Sequence, residues 1–270
     1  IWEEYDGALW NPASSYPGEN PGTGTVNIRN GHAITLNVTP GNNIGALTFQ
    51  NLTANATSLD VTGQTLNITG ALTFGAPSAN AGDQTLALGT GTINCASVFM
   101  PNTGAANFDI QLTASTGILN VTGNIQMVGA NDRNNITFSG AGAINVGGNF
   151  TGGGFTCSTS TVNYNGAAQN VGAYTYNNLT ISGSNSKTIQ GNVTVSNNLD
   201  VVAGTLDFSN IGARAISVGG NLSGAGSIDM ASGGSLAHTL TLNGANNAIG
   251  NFICGSGTVF YSGNIAQQIF

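Results

Sequence analysis

The stretch Leu66–Leu72, LNITGAL, sets the fold of this chain, because its pattern returns along the sequence. Two apolar residues flank a polar one, a Gly or Asn follows two positions later, and an apolar residue ends the motif. The clear copies are LNVTGNI from Leu119, INVGGNF from Ile144, VTVSNNL from Val193 and ISVGGNL from Ile216. The alternation is typical of a strand with one buried face, and Gly or Asn suits a sharp corner with positive φ. Each copy therefore predicts a strand, a corner and a second strand.

The spacing of the copies indicates a coil. With looser copies at Ile93 and Leu240, the starts lie at 66, 93, 119, 144, 193, 216 and 240, and successive differences are 27, 26, 25, 49, 23 and 24. We read 49 as two steps of about 24. Propeller blades need about 40 to 50 residues, and hairpin arrays need two-residue turns between neighbouring strands. The sequence thus predicts an all-β fold, a parallel β-helix (β-solenoid) with rungs of about 24 residues.

The first 24 residues lack this pattern. They hold both Trp residues and four of the eleven acids. We predict that residues 1–24 form a loop-rich N-terminal cap or docking segment and that residues 25–270 form a solenoid of roughly ten rungs. At about 4.8 Å per rung, the rod is expected to be near 50 Å long.

A longer repeat overlies the short one: FTCSTSTVNYNG from Phe155 returns as FICGSGTVFYSG from Phe252. The offset of 97 residues corresponds to four rungs, or about 19 Å. Cys157 and Cys254 are therefore too far apart for a disulfide within one molecule, and we interpret them as small buried core residues. Asn residues at repeated corners are expected to form hydrogen-bonded ladders between rungs.

Composition excludes several classes of partner. The chain has 4 basic and 11 acidic residues and a net charge of −7. The four cations, Arg29, Arg133, Lys187 and Arg214, form no basic stripe, so nucleic acid is not an expected partner. No run approaches the roughly 18 apolar residues of a membrane span, so membrane insertion is not expected either. Low charge, abundant Asn and Thr, and a first residue that is not Met favour an exported, extracellular or cell-surface protein.

The residues that carry chemistry are sparse and scattered. The carboxylates beyond the N-terminal segment occur singly, and His32 and His238 have no Cys or carboxylate neighbours at metal-ligand spacing. No Ser lies in a Gly-x-Ser-x-Gly turn. The sequence therefore predicts a protein that is not an enzyme, with no catalytic, cofactor-binding or metal site.

Two stretches resemble known extracellular proteins. WNPASSYPGENPGTGTVNIRNGHAITL, followed by ALTF, resembles the start of the extracellular domain family named for its eight glycines; the matching residues are Trp10, Pro21, Gly22, Val26, Ile28, Gly31, Ile34, Leu36, Leu47 and Phe49. The segment from Thr161 to Phe208 is similar to the degenerate repeats of large secreted bacterial surface proteins and adhesins. Both resemblances imply a β-helical surface protein, and neither brings catalytic residues. The acids usual near the Pro-Gly turn of the first family are missing here.

The two ends of the coil suggest how the chain is used. A β-helix has strand edges at both ends that need a cap, and SGNIAQQIF stops where its interior counterpart NGAAQNV continues into GAYTYNNLTI. We expect the N-terminal segment of another molecule to supply the missing strand, which gives an open head-to-tail filament. The predicted subunit-interface residues are Ile1, Trp2, Tyr5, Leu9, Trp10, Ile265, Ile269 and Phe270.

Three functions remain open at this point. The first is a structural subunit of a cell-surface filament, whose partner is a second copy of itself. The second is a segment of a large bacterial adhesin or stalk, which binds surface glycans or other cells. The third is a carbohydrate-binding or polysaccharide-degrading β-helix protein. Polymers of the pure protein, binding as a monomer, and turnover of a polysaccharide distinguish the three.

Overall fold

The chain folds as a three-faced β-solenoid. A computed structural model describes residues 3–5, 9–29, 31–50, 55–76, 82–103, 108–129 and 133–268. In these residues there is no helix, and parallel sheets stack as about nine turns of about 24 residues. The predicted fold class is confirmed, with one turn fewer than the ten expected. Nine turns at about 4.8 Å give a rod of about 43 Å.

One face is a single sheet that runs through most of the rod, and we call it the long sheet. Its eight parallel strands, from the N-terminal to the C-terminal end, are β7 (Thr65–Asn67), β10 (Thr92–Cys95), β13 (Ile118–Val121), β16 (Ala143–Val146), β19 (Thr161–Tyr164), β22 (Asn178–Ile181), β25 (Leu199–Val201) and β28 (Leu222–Ser223).

The other two faces are each divided into a lower and an upper sheet. The lower sheet of the second face contains β3 (Val26–Ile28), β5 (Leu47–Phe49), β8 (Ala71–Phe74), β11 (Ser97–Met100), β14 (Ile125–Met127) and β17 (Phe150–Thr151). The lower sheet of the third face contains β4 (Ala33–Thr35), β6 (Thr57–Asp60), β9 (Gln84–Gly89), β12 (Ile110–Ala114), β15 (Asn134–Phe138) and β18 (Gly154–Thr156).

The upper sheets continue these two faces towards the C-terminus. The second face continues with β20 (Gln169–Val171), β23 (Ser186–Ile189), β26 (Thr205–Asp207), β29 (Ser227–Asp229) and β31 (Asn251–Ile253). The third face continues with β21 (Thr175–Tyr176), β24 (Val193–Val195), β27 (Ala215–Val218), β30 (Thr239–Leu242) and β32 (Thr258–Tyr261). No strand pairing joins β17 to β20 or β18 to β21 in the described residues, so only the long sheet crosses this level.

Alternation along the strands builds the core. In the long sheet, Leu66, Ile93 and Leu119 stack on one another and point inward, and the residues between them point outward. Phe49 and Phe74 stack in the same way, with ring centroids 4.7 Å apart. Because successive side chains in a strand point to opposite sides, one apolar residue in two is enough to fill a continuous core.

The rungs are less regular than the motif spacing predicts. Above Ile144 the long sheet continues with Val162 and Leu179, which are only 18 and 17 residues further on. Val193 and Ile216 belong instead to the upper sheet of the third face. The interpretation of the 49-residue gap as two equal rungs on one face is therefore wrong. Short rungs and a change of face produce the same total.

The longer repeat also falls on different faces. Its first copy supplies β18 and β19, the second of which lies in the long sheet, whereas its second copy supplies β31 and β32 in the two upper sheets. Cys157 and Cys254 are only half-buried, in the turns between these strands, so the expectation that they are core residues is wrong. Cys95, at the inward-facing end of β10, is the buried thiol.

The N-terminal segment contains one regular element, an antiparallel pair. Strand β1 (Glu3–Tyr5) pairs with β2 (Trp10–Pro12), so that Tyr5 lies opposite Trp10. Further along, Asn42 donates its backbone N–H to Gly18 O over 2.9 Å, one rung of 24 residues away. The chain around Gly18 therefore lies beneath the first turn.

Asn ladders connect the rungs, as expected for repeated corner positions. At one corner, Asn149 N–H donates to Asn124 Oδ1 over 2.8 Å, and Asn170 N–H donates to Asn149 Oδ1 over 2.7 Å. A further ladder, which the corner argument missed, runs along the outer surface of the long sheet. Its amides lie 2.6 to 3.2 Å apart from Nδ2 to Oδ1 and belong to Asn67, Asn94, Asn120, Asn145 and Asn163.

Candidate assembly surface

The predicted interface residues are distributed over the two ends of the rod. Ile1, Trp2, Ile269 and Phe270 lie outside the described residues. Tyr5 and Trp10 lie opposite each other in the β1–β2 pair. Leu9, between them in sequence, is 67% exposed, and Ile265, after the last strand, is 62% exposed. The structure does not bring the two groups together within one molecule.

The last rung is apolar at its surface. Strands β31 and β32 are the terminal strands of their sheets among the described residues. Ile253 in β31 and Phe260 in β32 are exposed by 42% and 50%. Soluble β proteins protect terminal strands with charges, Pro or bulges. No Asp, Glu, Lys or Arg follows Asp229 in the sequence, so the last rung has no charge of this kind.

A glutamine side chain holds the turn after β32 in the same way as an interior turn. Gln267 accepts the Gly263 N–H at Oε1 over 3.1 Å and donates from Nε2 to Leu242 O and Gly244 O over 2.9 Å each. In the interior, Gln169 accepts the Gly166 N–H over 2.8 Å and donates to the carbonyls of Val146 and Gly148. The last turn therefore folds on the pattern of the turn after β19.

In the interior copy, Tyr176 covers the rung below. Its ring centroid lies 6.0 Å from that of Phe155 and 6.4 Å from that of Tyr164. The hydroxyls of Tyr164 and Tyr176 are 2.9 Å apart. Tyr164 also accepts the Gly172 N–H over 3.1 Å, and Tyr176 donates to Gly172 O over 2.8 Å. Both tyrosines are fully buried.

Burial controls the acidity of this aromatic cluster. Desolvation raises the pKa of Tyr164 to about 12, although its hydrogen bonds to Tyr176 and Gly172 act in the opposite direction. Desolvation also raises the pKa of Tyr174 and of Tyr176 well above the ordinary value. The cluster is therefore a neutral core element at physiological pH, at the level where two of the three faces are interrupted.

The residues that correspond to Phe155 and Tyr164 in the last rung are Phe252 and Tyr261. They occupy the same positions in the 97-residue repeat and pack against the end of the core. Tyr164 is fully buried, whereas Tyr261 is only partly buried. The sequence analysis found this repeat but assigned neither Phe252, Tyr261 nor Gln267 to the interface. The signal was the shared Phe, Tyr and Gln spacing.

The opposite end of the rod also has an incompletely filled core. An open cavity of about 370 Å³, its mouth included, is lined by apolar side chains that include Pro17, Ile28, Ile34 and Leu36. Strands β3 and β4 are the terminal strands here among the described residues. This end is also acidic in sequence, because Glu3, Glu4, Asp6 and Glu19 precede the first cation, Arg29.

The buried polar side chains have structural partners. His238 accepts the Arg214 N–H at Nδ1 over 3.0 Å, so its proton lies on Nε2, which is 3.3 Å from Ser232 O. Lys187 donates from Nζ to Gly166 O and Ser184 O over 2.9 and 2.5 Å, and burial lowers its pKa. Within the described ranges, no three His, Cys, Asp or Glu residues are grouped as a metal site.

Comparison with known proteins adds no family. No family model, no curated protein and no solved structure matches the chain. The resemblances to the eight-glycine domain and to adhesin repeats therefore stay predictions from the sequence. In the part of the chain that the structure describes, there is no helix long and apolar enough to cross a membrane.

Proposed function

We propose that this protein is a structural subunit of an extracellular cell-surface filament. Subunits add head to tail through the ends of the solenoid, and residues 1–12 of one subunit add as a strand to the last rung of the next. The observation that carries the proposal is the last rung itself. Its exposed side chains include Ile253, Phe260 and Ile265, and no charged residue follows Asp229.

The two ends have properties that favour head-to-tail contacts. The N-terminal end offers an apolar cavity, and the C-terminal end offers exposed apolar side chains. Two N-terminal ends repel each other, because each carries four acids before its first cation. A contact between different ends of identical subunits does not close on itself and gives an open filament.

The same architecture suits a mechanical role. The long sheet runs its hydrogen bonds along the rod, and the core is continuous beneath it. Each rung contacts only its neighbours, so that a second subunit at the end would be one more set of rungs. Neither a cofactor nor a charged cluster is needed for this role.

Electron microscopy and sedimentation of the purified 270-residue chain test the proposal. Filaments are expected at neutral pH without any partner, and deletion of residues 1–12 is expected to abolish them. Ile265→Asp should also prevent assembly, because it places a charge on the last rung. The matched control is Ile211→Asp, since Ile211 is 81% exposed in the loop between β26 and β27.

Two results contradict the proposal. Isolated rods at all concentrations would favour the adhesin or stalk alternative, and glycan or cell binding by those rods should then be measured. Filaments that persist without residues 1–12 would show that another contact joins the subunits.

A further inference from the structure

The interior of this protein contains a complete version of the contact that the last rung lacks. Around Tyr176, the chain supplies two aromatic rings from the rung below, Phe155 and Tyr164, and a glutamine turn at Gln169. The ring of Tyr176 packs on both aromatic side chains, and its hydroxyl meets that of Tyr164. These four residues define what we call the tyrosine socket and its occupant.

The same socket recurs at the C-terminal end. Phe252, Tyr261 and Gln267 follow one another as Phe155, Tyr164 and Gln169 do, and Gln267 makes the same three hydrogen bonds as Gln169. Agreement of both the residues and the hydrogen bonds indicates that the two sockets accept the same kind of side chain. A tyrosine hydroxyl can donate one bond and accept two, so Tyr261 can take a second hydroxyl partner in addition to others.

The missing occupant is a tyrosine just beyond the glutamine. In the interior, Tyr176 comes seven residues after Gln169. Position 274, seven residues after Gln267, lies outside this sequence. When a second copy follows head to tail, its Tyr5 is the eighth residue in continuous numbering, one later than the interior spacing. The chain's own Tyr5 precedes β3 at the opposite end of the rod, so it does not reach this socket.

Building on the proposed filament, we infer that the socket of Phe252 and Tyr261 binds Tyr5 of a second copy. The Tyr5 ring packs on Phe252 and Tyr261, and its hydroxyl hydrogen-bonds that of Tyr261. Residues on either side of Tyr5 continue as a strand along the last rung, which is the β-strand addition of the proposed function. Tyr5 and Tyr261 thus form the specific part of an otherwise apolar contact.

Photo-oxidative dityrosine cross-linking of the assembled full-length chain tests this contact directly. With isotopically heavy and light chains mixed before assembly, mass spectrometry should find a Tyr5–Tyr261 cross-link that joins a heavy to a light peptide. Tyr5→Phe should keep assembly but lose the cross-link. Tyr5→Ser should raise the critical concentration for assembly about tenfold, and the control Tyr16→Ser should leave it unchanged.

The outcomes separate the socket from the filament. Wild-type filaments in which Tyr5→Ser has no effect, or in which Tyr261 cross-links only elsewhere, overturn the socket and leave the filament intact. If the wild-type chain forms no filaments, the labelled peptide IWEEYDGALWNP should be titrated into the full-length chain. Binding that is lost with a Tyr5→Ser peptide supports the socket although the filament proposal has failed, and no binding overturns both.

Discussion

Single residues in the aromatic cluster combine packing with hydrogen bonding. Tyr164 and Tyr176 bury their rings completely, and their hydroxyls bond each other and the backbone of Gly172. A buried hydroxyl with a partner costs little, whereas one without a partner costs about 1–3 kcal/mol. The cluster therefore depends on all of its members and on their neutral state.

The raised pKa values predict loss of stability at high pH. Unfolded tyrosine ionises near pH 10, whereas the pKa of folded Tyr164 is about 12. Between these values the unfolded state binds fewer protons, so the free energy of unfolding should be constant below pH 10 and should fall from pH 10 to 12. Lys187 has the opposite sign, but its contribution is complete by about pH 10.5, its ordinary value.

Urea unfolding between pH 8 and pH 12 measures this slope. Tyr174→Phe should make the decrease shallower, because burial raises the pKa of Tyr174 in the folded state and the variant has no ionisable group there. A midpoint that does not change above pH 10 would contradict the predicted ionisation behaviour.

At the scale of elements, the corners limit how closely the rungs approach. Gly204 has φ +70°, and a Cβ built there would lie 2.6 Å from Asn185 O of the rung below. Gly234 has the same φ, but a Cβ there would have no atom within 4 Å. The two glycines therefore differ in crowding and share their backbone conformation.

Substitution of these two glycines should separate the effects. Gly234→Ala should cost about 1–2 kcal/mol of unfolding free energy, which is the cost of the left-handed conformation. Gly204→Ala should cost at least about 1 kcal/mol more, because the rungs must also move apart. Thermal or urea unfolding measures both variants, and equal losses would show that the rungs adapt without cost.

The outer Asn ladder is a second stabilising feature at this scale. Asn120 donates to Asn94 Oδ1 over 2.7 Å and accepts from Asn145 Nδ2 over 2.8 Å. Asn120→Ala removes two side-chain hydrogen bonds and should lower the unfolding free energy by about 1–2 kcal/mol. Gln126→Ala is the control, since Gln126 is an exposed outward residue of β14. Equal unfolding midpoints for the two variants would show that the ladder adds nothing.

At the scale of the whole molecule, the length of the rod fixes the geometry of any polymer. About nine turns at a spacing of about 4.8 Å give about 43 Å per subunit. If the ends stack as proposed, helical reconstruction of the filaments should give an axial rise near this value. A rise much shorter than 43 Å would indicate overlapping or tilted subunits and would contradict end-to-end stacking.

The interruption of two faces is also a property of the whole molecule. Only the long sheet joins the lower and upper halves by strand pairing among the described residues. The rings of Phe150, Phe155 and Tyr174 pack together at this level, with centroids 4.8 to 5.8 Å apart. Aromatic packing thus takes over where the strand pairing of two faces stops.

The sequence by itself determined the class of fold. Alternating apolar residues and Gly or Asn corners repeat at a nearly constant distance, and this information is local, so motifs such as LNITGAL were enough to predict a parallel β-helix. The Asn ladders at the corners were predicted for the same reason. The similarity of the Phe155 and Phe252 segments was also readable without a structure.

Only the tertiary structure decided which face each strand occupies. The register depends on how many residues each corner absorbs, and one motif looks the same on any of three faces. The short rungs from Ile144 to Leu179 therefore could not be distinguished from longer ones, and the half-burial of Cys157 was misjudged. The tyrosine socket likewise joins residues that are distant in sequence, and only stacking of the rungs brings Phe155, Tyr164 and Tyr176 together.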